Sequence, residues 1–165
     1  MGRRFATAGS SVRGAGDMKG ALAIMLELFR RLHEHRPGLS LEMAVTADEE
    51  TGGEHGIGHL VERCGLCCAM AMIPDGGWLN DITVDEKEVT TEVTDRPVPL
   101  VRDSGGSDAR FLTRHGVGVL MSRPLVGNLN APDEWIDIES MLVFHRICDV
   151  YLRRRFELPP EPDVA

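Results

Sequence analysis

GAGDMKGALAIMLELFRRLHEHRPGLSLEMAVTADEE, residues 14–50, is the stretch whose reading decides the fold. Gly14 and Gly16 permit a tight turn, and Asp17 stands where the positive end of a helix dipole accepts a carboxylate. Leu22, Met25, Leu26, Phe29 and Leu32 then recur at helical spacing, predicting one buried stripe. His35-Arg36-Pro37-Gly38 ends the helix with basic residues in its last turn and breakers just beyond. Leu39, Leu41, Met43 and Val45 alternate with Ser40, Glu42, Ala44 and Thr46, the pattern of a strand that runs into Asp48-Glu49-Glu50.

That acidic cluster, followed by Thr51-Gly52-Gly53, falls where open α/β sheets place ligands, in the crevice beyond the carboxyl ends of the strands. Adjacent carboxylates repel, so a cation, protons or open water must accompany them. With a metal, one glutamate coordinates the ion while the other takes a proton from bound water. The competing reading is a solvated acidic loop with Asp17 as an N-cap.

Working outward, the 165 residues, 42% of them hydrophobic, suffice for one domain with a real core. A net charge of -8, from 18 basic and 26 acidic residues, excludes a nucleic-acid surface and an anionic-membrane surface. No run is apolar and long enough for a signal segment or a membrane span, so a cytoplasmic protein is expected. Cys64, Cys67, Cys68 and Cys148 lack the spacing of a structural zinc site and read as buried thiols.

Gly53 to Arg63 predicts a short helix with Ile57, Leu60 and Val61 inward, and His55 and His59 read as a solvated or capping pair. Cys67 to Ile73 is a continuous apolar run, a strand buried on both faces of a parallel sheet, with Asp75 at its carboxyl end. Ile82 to Val93 reads as further strand with an exposed charged face. Ser107 starts a helix with Phe111 and Leu112 inward, and Val117 to Met121 is a short buried strand. Pro124 to Pro132 is an irregular loop. Ile136 to Phe156 is a terminal helix with Ile138, Met141, Leu142, Ile147, Val150 and Tyr151 in its core face, and a Pro-rich tail follows.

GAGDMKGALA, VTADEETGGEHGIGHL and IPDGG, in this order and spacing, resemble the zinc-dependent aminoacylase, acetylornithine deacetylase and succinyl-diaminopimelate desuccinylase family of metallopeptidases. The resemblance covers residues 12–156, leaving 1–11 and 157–165 as expected flexible ends of a single domain spanning 1–165. It implies an α/β three-layer sandwich with a mainly parallel sheet flanked by helices. It also implies two zinc ions, bridged by Asp17, with Glu49 as general base, Glu50 as ligand to one metal and Asp75 as ligand to the other. Gly106, Ser107, Asp108 and Arg110 resemble the family segment that re-enters the catalytic domain and helps hold the substrate carboxylate.

Three departures qualify this. The lid domain that relatives insert after the Asp75 strand is absent from the pattern, and the family's His-x-Asp strand would lie upstream of residue 1. Asn130 stands where relatives carry a ligand histidine, and an amide is a weak substitute for imidazole on zinc, although Mn²⁺ or Mg²⁺ tolerates oxygen donors. The expected chemistry is hydrolysis of the amide bond of an N-acyl amino acid or dipeptide, performed poorly or not at all by this chain alone. The alternatives are a noncatalytic binding or regulatory relict and a fragment completed by another chain. A sheet edge left open would serve self-association or such a complementing chain.

Overall fold

The computed structural model describes residues 13–76, 87–97 and 107–159, and every structural statement below concerns those residues. Of the expected flexible ends, 1–11 and 160–165 lie outside them, as do Gly106 and the first part of the strand expected over residues 82–93. The fold is α/β.

A π turn, Ala15–Lys19, leads into helix α1, Gly20–His35. Asp17 (φ -123°, ψ 91°) and Met18 are not helical and the residue preceding α1 is Lys19, so Asp17 is not its N-cap. The helix ends where expected, but its buried face is Ala21, Ile24, Leu28 and Leu32, and Leu26 is 50% exposed. Nearly every position from Ala21 to Phe29 is apolar, so two stripes overlap and only packing selects between them. Residues 39–46 pair with no strand, contrary to the alternation; Leu41 alone of that segment packs on the main core.

Helix α2, Ile57–Glu62, buries Ile57 and Val61, with Leu60 half-buried. Strand β1, Met70–Ile73, is shorter than the apolar run and half-buried throughout, and Cys67 and Cys68 precede it exposed. Cys64 is exposed too, so only Cys148 is the buried thiol expected of all four. Helix α3, Lys87–Thr94, replaces the expected strand: Val89 and Thr90 are buried and Val93 packs on the core, a helical rather than a twofold spacing. Tertiary burial here overrides the strand preference of its valines and threonines.

Helix α4, Ala109–Thr113, buries Phe111 and Leu112 as expected, although Asp108 rather than Ser107 is its first flanking residue. Strand β2, Gly118–Met121, pairs with β1 in parallel, Met70 opposite Gly118 and Ile73 opposite Met121. Inside the expected irregular loop, strand β3, Val126–Gly127, forms an antiparallel hairpin with β4, Trp135–Ile136. Helix α5, Ile138–Arg155, is capped by the Asp137 side chain, which accepts from the Ser140 amide. Its buried face is Phe144, Ile147, Cys148, Tyr151 and Leu152, whereas Ile138 and Leu142 are 63% and 69% exposed, against expectation.

The β1–β2 ladder is packed on both faces. Met70, Met72 and Leu120 face one way into a cluster built from α1, α3 and α5, with Leu28, Phe144 and Ile147 at its centre. Ala71, Ile73 and Val119 face the other way onto Ile57 and Val61 of α2 and Phe111 and Leu112 of α4. Each large side chain fully buried this way contributes roughly 1.5–3 kcal/mol over its exposed state. Both strands therefore point their carboxyl ends at one rim, where Asp75 emerges. No helix among the described residues is long and apolar enough to cross a membrane.

Candidate active site

The turn that carries Asp17 is held from below by one side chain. Glu134, 1% exposed, accepts hydrogen bonds from the amides of Gly14 (2.9 Å), Gly16 (2.7 Å) and Asp17 (2.6 Å). Burial alone would raise its carboxyl, but these amide donors outweigh it and hold Glu134 below the usual carboxylate range. A Cβ at Gly16 would lie 2.9 Å from Val126 Cβ and 3.1 Å from the Glu134 carboxylate, so only glycine lets the turn sit on the β3–β4 hairpin.

Glu49 and Glu50 occupy a 3₁₀ turn, Glu49–Thr51, that is pinned by the residue before it. Asp48 Oδ2 accepts from the amides of His55 and Gly56, each at 2.8 Å, and the Asp48 carbonyl accepts from Gly53. Gly53 has φ 65°, and a Cβ there would be 2.0 Å from Asp108 Oδ1. The glycines after the glutamates thus let the loop fold back over α4. His55 and His59 are both exposed and far from serving as a pair of ligands.

Asp75 lies two residues beyond β1, where its Oδ1 accepts from the Gly76 amide (2.7 Å) and from Arg123 Nη1 (3.3 Å). Arg123 is the cation the sequence reading missed, and its signal was positional. It stands two residues beyond β2, so the parallel register that matches Ile73 to Met121 brings Asp75 and Arg123 out of the sheet at one level.

The acids of this rim act on one another. Burial, then the charges of Asp75 and Glu50, raise Asp17 above its ordinary value, with Arg123 pulling the other way. Burial, then Asp75, Asp108, Glu50 and Asp17, raise Glu49. Burial and then Asp48 raise Asp108, against Arg110 and a hydrogen bond with Thr46. Asp17, Glu49, Glu50 and Asp75 are therefore within electrostatic reach of one another at this rim.

The remaining predicted residues are placed differently. Ser107 Oγ accepts from the Ala109 amide (3.2 Å), and Asp108 is 8% exposed with Oδ1 lacking a partner. Arg110 donates to the Gly52 carbonyl and stacks over Phe111, 4.7 Å from the ring centre, which fastens α4 to the glutamate loop. Asn130 is exposed at the tip of the β3–β4 hairpin, in a left-handed conformation of φ 62°.

Zinc sites combine carboxylate oxygen with imidazole nitrogen or thiolate sulfur in a tetrahedral array. Here the crevice offers carboxylates, one of them bonded to a guanidinium, and among the described residues no three His, Cys, Asp or Glu side chains converge to hold an ion. The described set as it stands does not fit a two-zinc centre.

The family model of peptidase family M20/M25/M40 matches residues 12–101, more than half of the chain and the whole of the Asp17 to Asp75 segment. No curated protein is significantly similar to the chain.

Proposed function

Since the chain belongs to peptidase family M20/M25/M40, we propose that its crevice derives from a co-catalytic zinc amidohydrolase and that this chain alone cleaves N-acyl amino acids or dipeptides poorly or not at all. The aminoacylase and deacylase branch is the relative meant, with Asp17, Glu50 and Asp75 as inherited metal-facing carboxylates and Asn130 in the place of an imidazole. Glu49 is the inherited base: burial and its acidic neighbours raise its carboxyl, which brings a carboxylate nearer the proton affinity such a role needs. Gly106, Ser107, Asp108 and Arg110 are read as the inherited segment that helps hold the substrate carboxylate. The observation that carries the reading is the donor set itself, all oxygen and partly engaged by Arg123. The exposed thiols of Cys64, Cys67 and Cys68 support a reducing, cytoplasmic setting.

The test is a hydrolysis assay on a panel of N-acetyl amino acids and dipeptides with Zn²⁺ or Mn²⁺ supplied, wild type against Glu49→Gln. We expect both chains to give the same background. Turnover of about 1 s⁻¹ or more that Glu49→Gln abolishes would make the isolated chain an ordinary hydrolase and end the proposal.

A second reading has its own support. Residues 39–46 carry strand alternation, pair with no described strand, and lie with Leu41 against the core that Met70 and Met72 also face. Such a segment suits pairing with a second copy or a complementing chain. Light scattering that finds only monomer, with no partner restoring Glu49-dependent turnover, would remove it.

A further inference from the structure

Arg123 and Asp75 meet because of the sheet. Each follows the last residue of a parallel strand by two positions, and Ile73 and Met121 are register partners, so backbone pairing fixes how far each side chain reaches over the rim. The pair is largely withdrawn from water, the arginine side chain 13% exposed and the aspartate 16%. Ion pairs of that kind interact more strongly than surface pairs and resist salt. The guanidinium also acts on Asp17, where it opposes the burial and the like charges that raise that carboxyl. One fixed cation therefore already occupies the Asp75 carboxylate that the family reading assigns to a metal.

We propose that Arg123 is a built-in replacement for a metal ion: its guanidinium neutralises Asp75 and keeps divalent cations out of the crevice. This rests on the family-derived reading of the carboxylates, but it reads out through binding rather than turnover, so either proposal can fail alone. Arginine suits the task because it stays charged at every relevant pH and presents several donors in a plane. A divalent ion entering beside it would meet a like charge and compete for the Asp75 oxygen it already holds.

The experiment is calorimetric titration with Mn²⁺ and with Zn²⁺, together with thermal unfolding, on wild type, Arg123→Gln, Arg123→Lys and the double variant Arg123→Gln/Asp75→Asn. Wild type and Arg123→Lys should bind either ion weakly and show no metal-dependent rise in melting temperature. Arg123→Gln should bind at least about tenfold more tightly and be stabilised by metal, through linkage of binding to folding. The double variant should lose that gain. Metal binding by wild type as tight as by Arg123→Gln, or no gain in Arg123→Gln, overturns the proposal. If Arg123→Gln folds only with metal present, the replacement is supported; if it folds with neither ion, the proposal fails.

Discussion

Glu134 and the crevice carboxylates lie against each other, yet the protein treats them in opposite ways. Glu134 is the more deeply buried and is nevertheless held ionised, because three backbone amides converge on it. Asp17, whose own amide is one of those donors, has its carboxyl raised, as do Glu49 and Asp108. Depth of burial therefore does not decide the sign of the shift. What decides it is whether the fold supplies fixed donors to the carboxylate or leaves it facing other acids. The Glu134 region is structural and complete; the crevice depends on a cation.

The largest expected effect breaks the complete side. Glu134→Ala orphans three amides and should cost roughly 3–5 kcal/mol in urea unfolding, since each buried unpaired donor costs about 1–3 kcal/mol. Against the ordinary stability of a domain, about 5–15 kcal/mol, that would bring the chain close to unfolding. Glu134→Gln keeps one acceptor oxygen and should lose roughly half as much. A Glu134→Gln chain as stable as wild type would mean that the amides need no charge, and the contrast between the two regions would collapse.

A smaller effect of opposite sign is expected in the crevice. Asp108 Oδ1 is buried without a partner and Asp48 adds like charge, so Asp108→Asn should stabilise the chain by about 1 kcal/mol at neutral pH. The pH dependence follows from the direction of the shifts. Between the unfolded carboxylate values and the raised folded values the native state holds more protons, so stability falls as pH rises through that window. Wild type should therefore gain stability as pH is lowered through the raised folded values toward the unfolded carboxylate values, and Asp108→Asn should show a flatter profile. Glu134 runs the other way: its depressed carboxyl contributes above the unfolded value and is lost only as pH falls through its folded one. A wild-type profile that declines steadily from neutrality would show the crevice acids to be no burden.

How much of this was legible in sequence depends on whether a residue's partner is near in the chain. The DMKG turn, α1, α2 and β2 follow from local spacing, and the motifs name Asp17, Glu49, Glu50 and Asp75, whose charges act on one another in the fold. The buried face of α1 was not legible, because alanine, leucine, isoleucine and methionine surround most of its circumference. Residues 39–46 show the limit of alternation, which describes side chains while a strand needs a neighbour's backbone. Lys87 to Thr94 shows the limit of propensity, since Val89 and Val93 suit a strand locally and a helix once the core is present. Glu134 sat inside a loop already read for its asparagine, but its three partners lie more than a hundred residues away. Arg123 belongs to no motif; only the strand register reveals it.

The smallest expected effect asks whether a lowered carboxyl is in itself a sign of stabilisation. On α1, Glu27 takes hydrogen bonds from Arg30 and Arg31, which hold it at about 2. It shares its direction of shift with Glu134 and lacks its surroundings: water competes for every oxygen and salt screens the pair. Its contribution would be present above the unfolded value and lost as pH falls through about 2. Because the site is on the surface, Glu27→Gln should leave the urea midpoint at neutral pH nearly where it was, with any residual loss erased by high salt. A salt-resistant loss approaching that of Glu134→Gln would show that two guanidinium groups in water serve as well as three amides in the core. The division drawn between donors fixed by the fold and charges exposed to solvent would then have to be given up.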